Sequence, residues 1–240
     1  MIKIHKKVKK HRLNVKKLSL FLLIVFVFIG FVNYVFNLSY ILTGHISNIY
    51  VNNNKYIYVN NFNNKFNEQQ ILEIGKVDNY PRVLFLDTNK IKKNLEKDVY
   101  IKKAEVKKKE VGSLYITIYE NRPLFYSDSK LKTILETGEE VSDLFDVPTL
   151  VNYVPDSVYN KLIEKMNSID SSVLSHISEI KYDPNDVDSE RFLFTMSDGN
   201  YVYITLERFN VINKYLEIVS SISDKRGILY LDYGDHFVFE

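Results

Sequence analysis

The side chains best suited to catalysis or metal binding in this sequence are its five histidines, since the chain contains no cysteine. His5 and His11 lie in a basic N-terminal segment, and His45 follows a long apolar run. His176 and His236 are far apart, and neither has a second His at metal-ligand spacing. The sequence also has no Gly-rich phosphate loop, no G-x-S-x-G and no H-E-x-x-H motif. We therefore predict a non-enzymatic protein with no cofactor and no metal site.

Two charged stretches each have a structural and a functional interpretation. DPNDVDSE (183–190) is the densest acidic stretch, but it lacks the central Gly and the Asp-x-Asp-x-Asp register of a calcium loop. A solvated hairpin tip is the preferred interpretation, and calcium binding is the alternative. The lysines at 107–109 either form a solvated strand face or a patch for a partner.

The element that must position everything else is the apolar stretch 18–42, LSLFLLIVFVFIGFVNYVFNLSYIL. No charged residue occurs from Leu18 to Asn54. About 20 apolar residues in a helix that rises about 1.5 Å per residue cross the hydrocarbon core of a bilayer. A cleaved signal peptide is the main alternative, but no small-x-small cleavage pattern follows. We predict a retained transmembrane helix, in which Asn33 and Asn37 either contact partner helices or are solvated at the helix end.

Residues 1–17 form a basic tail without any acidic residue. Positive charge beside a membrane helix stays on the cytoplasmic side, which predicts a cytoplasmic N-terminus and an extracytoplasmic remainder. Binding of nucleic acid or anionic lipid is the alternative use of such a tail. The residues of this topology signal are Lys3, Lys6, Lys7, Lys9, Lys10, Arg12, Lys16 and Lys17.

The basic tail also accounts for the positive net charge. The chain has 32 Lys and Arg against 30 Asp and Glu, a net charge of +2, and without the tail the balance is 24 against 30, or −6. The sequence pI of 8.4 is therefore no argument for nucleic-acid binding. The part after the apolar stretch, about 195 residues, is long enough for two small domains.

The first of these domains begins with patterns of short strands and a capped helix. ISNIYVNNNKYIYVN (46–60) predicts two short strands around an Asn turn at 52–54. Asn67 is followed by Gln70 at the spacing of a capping box, which predicts the start of a helix.

A second helix and a hairpin follow. The pattern predicts a short strand at 83–86, then a helix capped by Asp87 or Thr88. Strands are predicted at 101–107 and 114–120, where apolar and polar residues alternate. Two helices on one face of a three-stranded sheet would bury these apolar residues.

A family resemblance rests on the run from Ile91 to Pro123. It reads Ile-Lys-Lys-Asn-Leu, then Ile-Lys-Lys-Ala-Glu-Val, then Leu-Tyr-Ile-Thr-Ile-Tyr-Glu-Asn-Arg-Pro. Behind a short basic tail and a single anchor, this order resembles the membrane-proximal POTRA domain of the FtsQ/DivIB cell-division proteins. The rest of the chain fits the second extracytoplasmic domain of the same family. Its predicted elements are a hairpin at 132–142, a helix capped by Asp156 or Ser157, a strand at 177–183, an Asp-Gly hairpin at 197–200, a helix at 209–222 and a strand at 228–233.

The predicted fold class is α+β. It comprises one N-terminal transmembrane helix, a POTRA domain of two helices on a three-stranded sheet, and a second mixed α/β domain with an extended, antiparallel-rich sheet. The predicted divisions are 1–17 (cytoplasmic tail), 18–42 (transmembrane helix), 46–123 (POTRA domain) and 124–240 (second domain).

The resemblance implies a divisome scaffold in the cell membrane at the division septum. It implies binding to FtsL-like and FtsB/DivIC-like single-span proteins and a role in controlling septal peptidoglycan synthesis. It also implies that a partner strand pairs with the C-terminal strand of the second domain, by β-augmentation. The alternative is that this strand is an ordinary core strand. The predicted partner-binding residues are Ile228, Leu229, Tyr230, Leu231, Asp232 and Tyr233.

Two functions from other classes remain open at this point. One is a membrane-anchored extracytoplasmic enzyme, which would need a concave pocket with convergent titratable groups. The other is an export or spore-envelope assembly protein that reuses a POTRA-like module, since a fold does not fix a function.

Overall fold

The computed structural model describes residues 15–54, 66–222 and 226–239. The helices are α1 (Val15–Thr43), α2 (Glu68–Gly75), α3 (Thr88–Leu95), α4 (Asp156–Met166), α5 (Ser171–Leu174) and α6 (Tyr215–Ser221), with 3₁₀ turns at Val83–Phe85 and Phe209–Lys214. The strands are β1 (Asn48–Asn54), β2 (Ile101–Lys108), β3 (Ser113–Glu120), β4 (Pro123–Ser127), β5 (Lys132–Leu135), β6 (Glu140–Val141), β7 (Thr149–Leu150), β8 (Ile177–Tyr182), β9 (Arg191–Met196), β10 (Tyr201–Thr205), β11 (Gly227–Tyr230) and β12 (His236–Phe239).

Helix α1 has the length and composition of a membrane span. Its 29 residues include a window of mean hydropathy 2.6, and none of that window is buried in the protein. Two polar side chains inside it bond to the helix backbone: Asn33 Nδ2 donates to Ile29 O at 3.1 Å and Thr43 Oγ1 to Ser39 O at 2.9 Å. Of the predicted topology signal, Lys16 and Lys17 lie in the first turn of α1, and the other six residues lie outside the described residues.

A three-stranded sheet in the order β1-β3-β2 carries α2 and α3. Strand β3 is central, parallel to β1 and antiparallel to β2. The two helices and the sheet share one core, which confirms the predicted arrangement. Its buried members include Ile71, Leu72, Ile91, Leu95, Ala104, Leu114, Ile116 and Ile118.

Both predicted helix caps of this unit are present. Asn67 forms a full capping box with Gln70, in which Asn67 Oδ1 accepts from the Gln70 N–H and Gln70 Oε1 accepts from the Asn67 N–H, each at 2.9 Å. Of the two residues considered for α3, it is Asp87 that caps, accepting from the backbone N–H of Asn89 at 2.9 Å. These short side chains satisfy donors that the first helical turn leaves unpaired.

Two strand predictions in this unit are wrong. Residues 52–54 are not a turn but the end of β1, which pairs in parallel with β3, and the second strand predicted at 55–60 lies outside the described residues. Residues 83–86 are not a strand, because Val83–Phe85 forms a 3₁₀ turn. Val83 and Leu86, three residues apart, are the buried members, as the 3₁₀ repeat of about three residues requires.

The second sheet has nine strands in the order β12-β11-β10-β9-β8-β7-β4-β5-β6. It is mixed: β4–β7, β7–β8 and β10–β11 are parallel and the other neighbouring pairs antiparallel. Helices α4 and α5 and the segment 209–219 pack with these strands in a single core. The predicted fold class is confirmed, while the position of the domain boundary at 123/124 stays a prediction.

The local signals of this sheet had mixed outcomes. The Asp-Gly hairpin is present, with Gly199 at φ +89° between β9 and β10. Helix α4 starts after Pro155 without a side-chain cap, so the cap predicted at Asp156 or Ser157 is wrong. The predicted last helix starts as a 3₁₀ turn and becomes α-helical at Tyr215.

The two units are joined by a buried arginine. The guanidinium of Arg122 donates to the carbonyls of Ile169 (2.9 Å), Asn167 (3.0 Å) and Met166 (3.3 Å) at the C-terminal end of α4. A cation at a helix C-terminus satisfies unpaired carbonyls and the negative end of the helix dipole. Arg122 lies two residues after the end of β3 and directly before β4, so this contact holds the end of α4 close to the junction of the two units.

Tyr215 provides a test of the second core at alkaline pH. Burial, followed by its hydrogen bond to Asp198 (2.7 Å), raises the pKa of Tyr215 above its usual value. The neutral phenol is therefore favoured in the folded chain, and its contribution is present below about pH 10 and lost as the pH rises further. We expect Tyr215→Phe to lower the free energy of unfolding by about 1–2 kcal/mol at neutral pH, with the difference from the parent shrinking above pH 10.

The measurement is urea unfolding of the parent and the variant across neutral to alkaline pH. Tyr201→Phe is the matched control, because Tyr201 is exposed on the neighbouring hairpin strand. Parallel stability profiles for the parent and Tyr215→Phe would contradict the expectation.

Candidate docking edge of the large sheet

The predicted docking strand is not at the edge of the sheet. Strand β11 pairs in parallel with β10 on one side and antiparallel with β12 on the other. The prediction that residues 228–233 form the last, exposed strand is therefore wrong, because the chain reverses after Asp232 and returns as β12. In the described sheet order, β12 is the terminal strand next to β11.

The six predicted docking residues differ in accessibility. Leu229 and Leu231 are buried in the core, and Ile228 and Tyr230 are half-buried. Tyr233, in the loop between β11 and β12, is the one exposed member of the six. Whether they contact a partner stays a prediction, but only Tyr233 presents most of its side chain to solvent.

Asp232 is part of a buried ion pair. Its Oδ2 accepts from Arg191 Nε at 2.8 Å, and Arg191 also pairs with Asp183 at 2.9 Å. Burial alone would lower the pKa of Arg191, but the hydrogen bond and charge of Asp232 outweigh it and the pKa is raised. The geometry gives Asp232 a role in holding Arg191, and its predicted contact with a partner stays a prediction.

A row of rings crosses the four strands nearest the edge. The guanidinium of Arg191 lies 3.6 Å from the ring centroid of Tyr203. The Tyr203 ring stacks on Tyr230 at 5.3 Å, and Tyr230 stacks on His236 at 4.8 Å with an interplanar angle of 6°. Each of β9 to β12 contributes one member, and cross-strand ring pairs stabilise such a sheet. The row ends at exposed His236.

Strand β12 itself has the features of a docking edge. Val238 and Phe239 are 48% and 50% exposed, and the Phe237 and Phe239 rings lie 5.1 Å apart. An apolar strand at the edge of a sheet is a template for an added strand. No strand is predicted for residues 236–239 from the sequence; the turn residue Gly234 ahead of four apolar or aromatic positions is the signal that could have found β12.

The charged stretches are occupied by internal contacts. In the acidic loop, Asp183 pairs with Arg191, and Asp188 Oδ1 accepts from the Glu190 N–H at 2.6 Å. Within the described ranges, no group of three or more His, Cys, Asp or Glu is arranged to hold a metal ion.

The lysines beside β2 also have partners within the protein. Lys103 and Lys107 hydrogen-bond to Glu105 at 2.7 and 2.8 Å and lower its pKa to about 2. Lys108 Nζ donates to Leu86 O at 2.8 Å, and Lys109 lies 4.4 Å from the Tyr115 ring centroid. The arrangement favours the solvated strand face over the partner patch.

Comparison with known proteins identifies the first unit. The family described as POTRA domain, FtsQ-type, matches residues 52–121, which run from within β1 to just past β3.

Curated relatives extend the similarity into the second unit. The chain is 26% identical over 184 residues to the cell division protein DivIB of Bacillus subtilis, covering 73% of this chain and 70% of that protein. It is 26% identical over 184 residues to DivIB of Listeria monocytogenes, covering 72% and 66%. DivIB of Erysipelothrix rhusiopathiae is 24% identical over 147 residues, or 59% of this chain and 53% of the relative.

A solved structure of the major extracytoplasmic domain of DivIB from Geobacillus stearothermophilus, trans isomer, is also similar. It is 24% identical, with 43% of this chain and 94% of that chain covered and a TM-score of 0.37. At that TM-score no structural conclusion rests on the neighbour.

Proposed function

We propose that this chain is a membrane-anchored scaffold of cell division. The premise is that it carries an FtsQ-type POTRA domain behind one apolar helix and is similar to DivIB proteins over most of its length. The relatives support a role in division, and the apolar N-terminal helix fits a place in the membrane. The scaffold is non-enzymatic, faces the outside of the cell with both folded units and acts at the division septum. The lysines at the start of α1 support this orientation.

The partners we propose are single-span division proteins of the FtsL and FtsB/DivIC types. Such proteins share the membrane with α1, so a partner segment can reach the large sheet from the same surface. By holding these partners, the scaffold contributes to the control of septal peptidoglycan synthesis.

The observation that carries the proposal is the terminal position of β12 in the described sheet order, together with the exposed side chain of Val238. We place the added partner strand against His236–Phe239, and no longer against 228–233. Main-chain hydrogen bonds would supply affinity, and the exposed side chains of the edge would supply specificity. Of the residues first predicted, Tyr233 flanks this edge and Tyr230 lies beneath His236 in the ring row.

Photo-crosslinking in native membranes tests the proposal. With a photoreactive residue at Val238, we expect capture of a small single-span protein whose sequence predicts a coiled coil, identified by mass spectrometry. Val187 is the matched control, because it is the same residue type and is 79% exposed in the acidic loop. Equal capture at both positions, or capture at Val187 alone, would contradict the assignment of β12 as the docking edge.

A further inference from the structure

The segment Pro81–Leu86 is fastened to the end of the membrane helix. The backbone N–H of Val83 donates to Gly44 O at 3.0 Å, and His45 forms an isolated antiparallel bridge with Arg82. The 3₁₀ turn Val83–Phe85 also lies against α1. These contacts hold the turn beside the place where the chain leaves the helix.

The last turn of α1 also packs against the POTRA unit. Tyr40 Oη donates to the His45 carbonyl at 2.6 Å. The turn before β3 packs so closely on Tyr40 that a Cβ at Gly112, which has φ +82°, would lie 2.5 Å from Tyr40 Oη. Only glycine fits both the left-handed backbone and the contact. The 3₁₀ turn therefore has a defined position relative to α1.

The 3₁₀ turn exposes two large apolar side chains at this position. Val83 and Leu86 are buried in the core, whereas Leu84 is 49% and Phe85 72% exposed. Phe85 also lines a cleft of about 160 Å³ whose wall carries Lys76 and Lys90. Asp87, the cap of α3, lines the same cleft. An exposed apolar ring on a cleft with two lysines and one acid matches the chemistry of a phospholipid, which offers acyl chains and a phosphate.

The length of α1 places this turn at the level of the lipid headgroups. Counted from Leu18, about 20 residues at about 1.5 Å each fill a hydrocarbon core of about 30 Å and end near Asn37. Tyr40 then lies about 5 Å further out, within a headgroup layer that is about 5–8 Å deep on each side of a bilayer about 40–45 Å thick, and Thr43, about 9 Å out, lies at the outer limit of that layer. Aromatic side chains are enriched at this depth.

We propose that Leu84 and Phe85 insert into the outer surface of the bilayer that α1 spans, so that the POTRA unit makes a second membrane contact. The ligand is the phospholipid surface itself, with Lys76 and Lys90 facing headgroup phosphates. This inference rests on the proposed membrane span of α1 and does not depend on any division partner.

Depth-dependent fluorescence quenching tests the inference on the full chain. Because the chain has no cysteine, Leu84→Cys carries a single environment-sensitive label after reconstitution into vesicles of phosphatidylcholine and phosphatidylglycerol. We expect lipids with a spin label in the headgroup or upper acyl chain to quench this label several-fold more than a label at Val187→Cys. Phe28→Cys, in the middle of the span, is the positive reference and is read with lipids that carry the spin label deep in the acyl chain.

A second variant separates membrane contact from loss of fold. Phe85→Ser in the Leu84→Cys background should reduce the quenching while leaving the thermal unfolding temperature unchanged, since Phe85 is largely exposed. Quenching at residue 84 no stronger than at residue 187 would overturn the inference. An unquenched Phe28→Cys label would overturn the span and the inference with it. Crosslinking at Val238 is a separate result, so the two proposals can fail independently.

Discussion

Gly227→Ala is expected to separate β12 from β11 and to abolish partner capture at Val238. A Cβ at Gly227 would lie 2.1 Å from the Val238 carbonyl oxygen, 2.7 Å from the Phe237 ring and 3.0 Å from the Phe239 Cα. Two of these three atoms belong to the backbone of β12, which cannot retreat without breaking the ladder. We expect a loss of about 1–3 kcal/mol in the free energy of unfolding, as for other overpacked sites.

The measurement combines urea unfolding of the full chain in detergent with crosslinking yield at Val238. Gly234→Ala, in the connection between β11 and β12, is the matched control, since its Cβ would meet only His236 Nδ1 at 3.5 Å. The control should leave both stability and capture unchanged. Undiminished capture by Gly227→Ala would show that partner binding does not require an ordered β12.

Asp232→Ala is expected to cost about 2–4 kcal/mol of unfolding free energy, because it leaves the Arg191 guanidinium with one carboxylate in a largely buried site. The Asp232 side chain is 3% and the Arg191 side chain 12% exposed. Because Asp183 remains as a partner of Arg191, the expected loss of unfolding free energy is no larger than the loss for a buried ion pair that has no second acid.

A surface ion pair nearby is the control. Asp235 accepts from Arg208 at 2.6 Å, but its side chain is 57% exposed, so Asp235→Ala should change stability by less than about 1 kcal/mol. Both losses are read from urea unfolding under the same conditions. An equal, small loss for the two variants would mean that Asp232 is not structurally important, and its earlier assignment as a partner contact would regain support.

The sequence predicted the elements whose signals are local. The capping box of Asn67 and Gln70, the cap at Asp87 and the Asp-Gly hairpin each depend on neighbours within a few residues, and the structure contains all three. The apolar helix was equally easy to predict from the sequence, because its length and composition are sufficient to identify it. These signals, in order along the chain and together with the family resemblance, support the predicted fold class.

The errors concern pairing across the chain. Residues 83–86 have an apolar strand pattern, but their backbone bonds to Gly44, and that contact is not visible in the local sequence. The same limit affected the docking site, because alternation in ILYLDY predicts a strand without saying which strands flank it. A four-residue strand such as β12 gives too short a pattern to be assigned alone. The burial of Asp232 depended on Arg191, 41 residues earlier.

The short connection between α1 and β1 has a consequence for partner geometry. Only four residues separate Thr43 from Asn48. The contact between Tyr40 and Gly112 restricts the movement of this connection. Arg122 holds the second unit close to the first. If α1 spans the membrane as proposed, these contacts predict a fixed height of β12 above the bilayer. One heptad of a helical partner adds about 10 Å of rise, so a coiled coil longer or shorter by one heptad would bring its docking segment to the wrong height. The protein would then select partners by the length of their coiled coil as well as by the sequence of the docking strand.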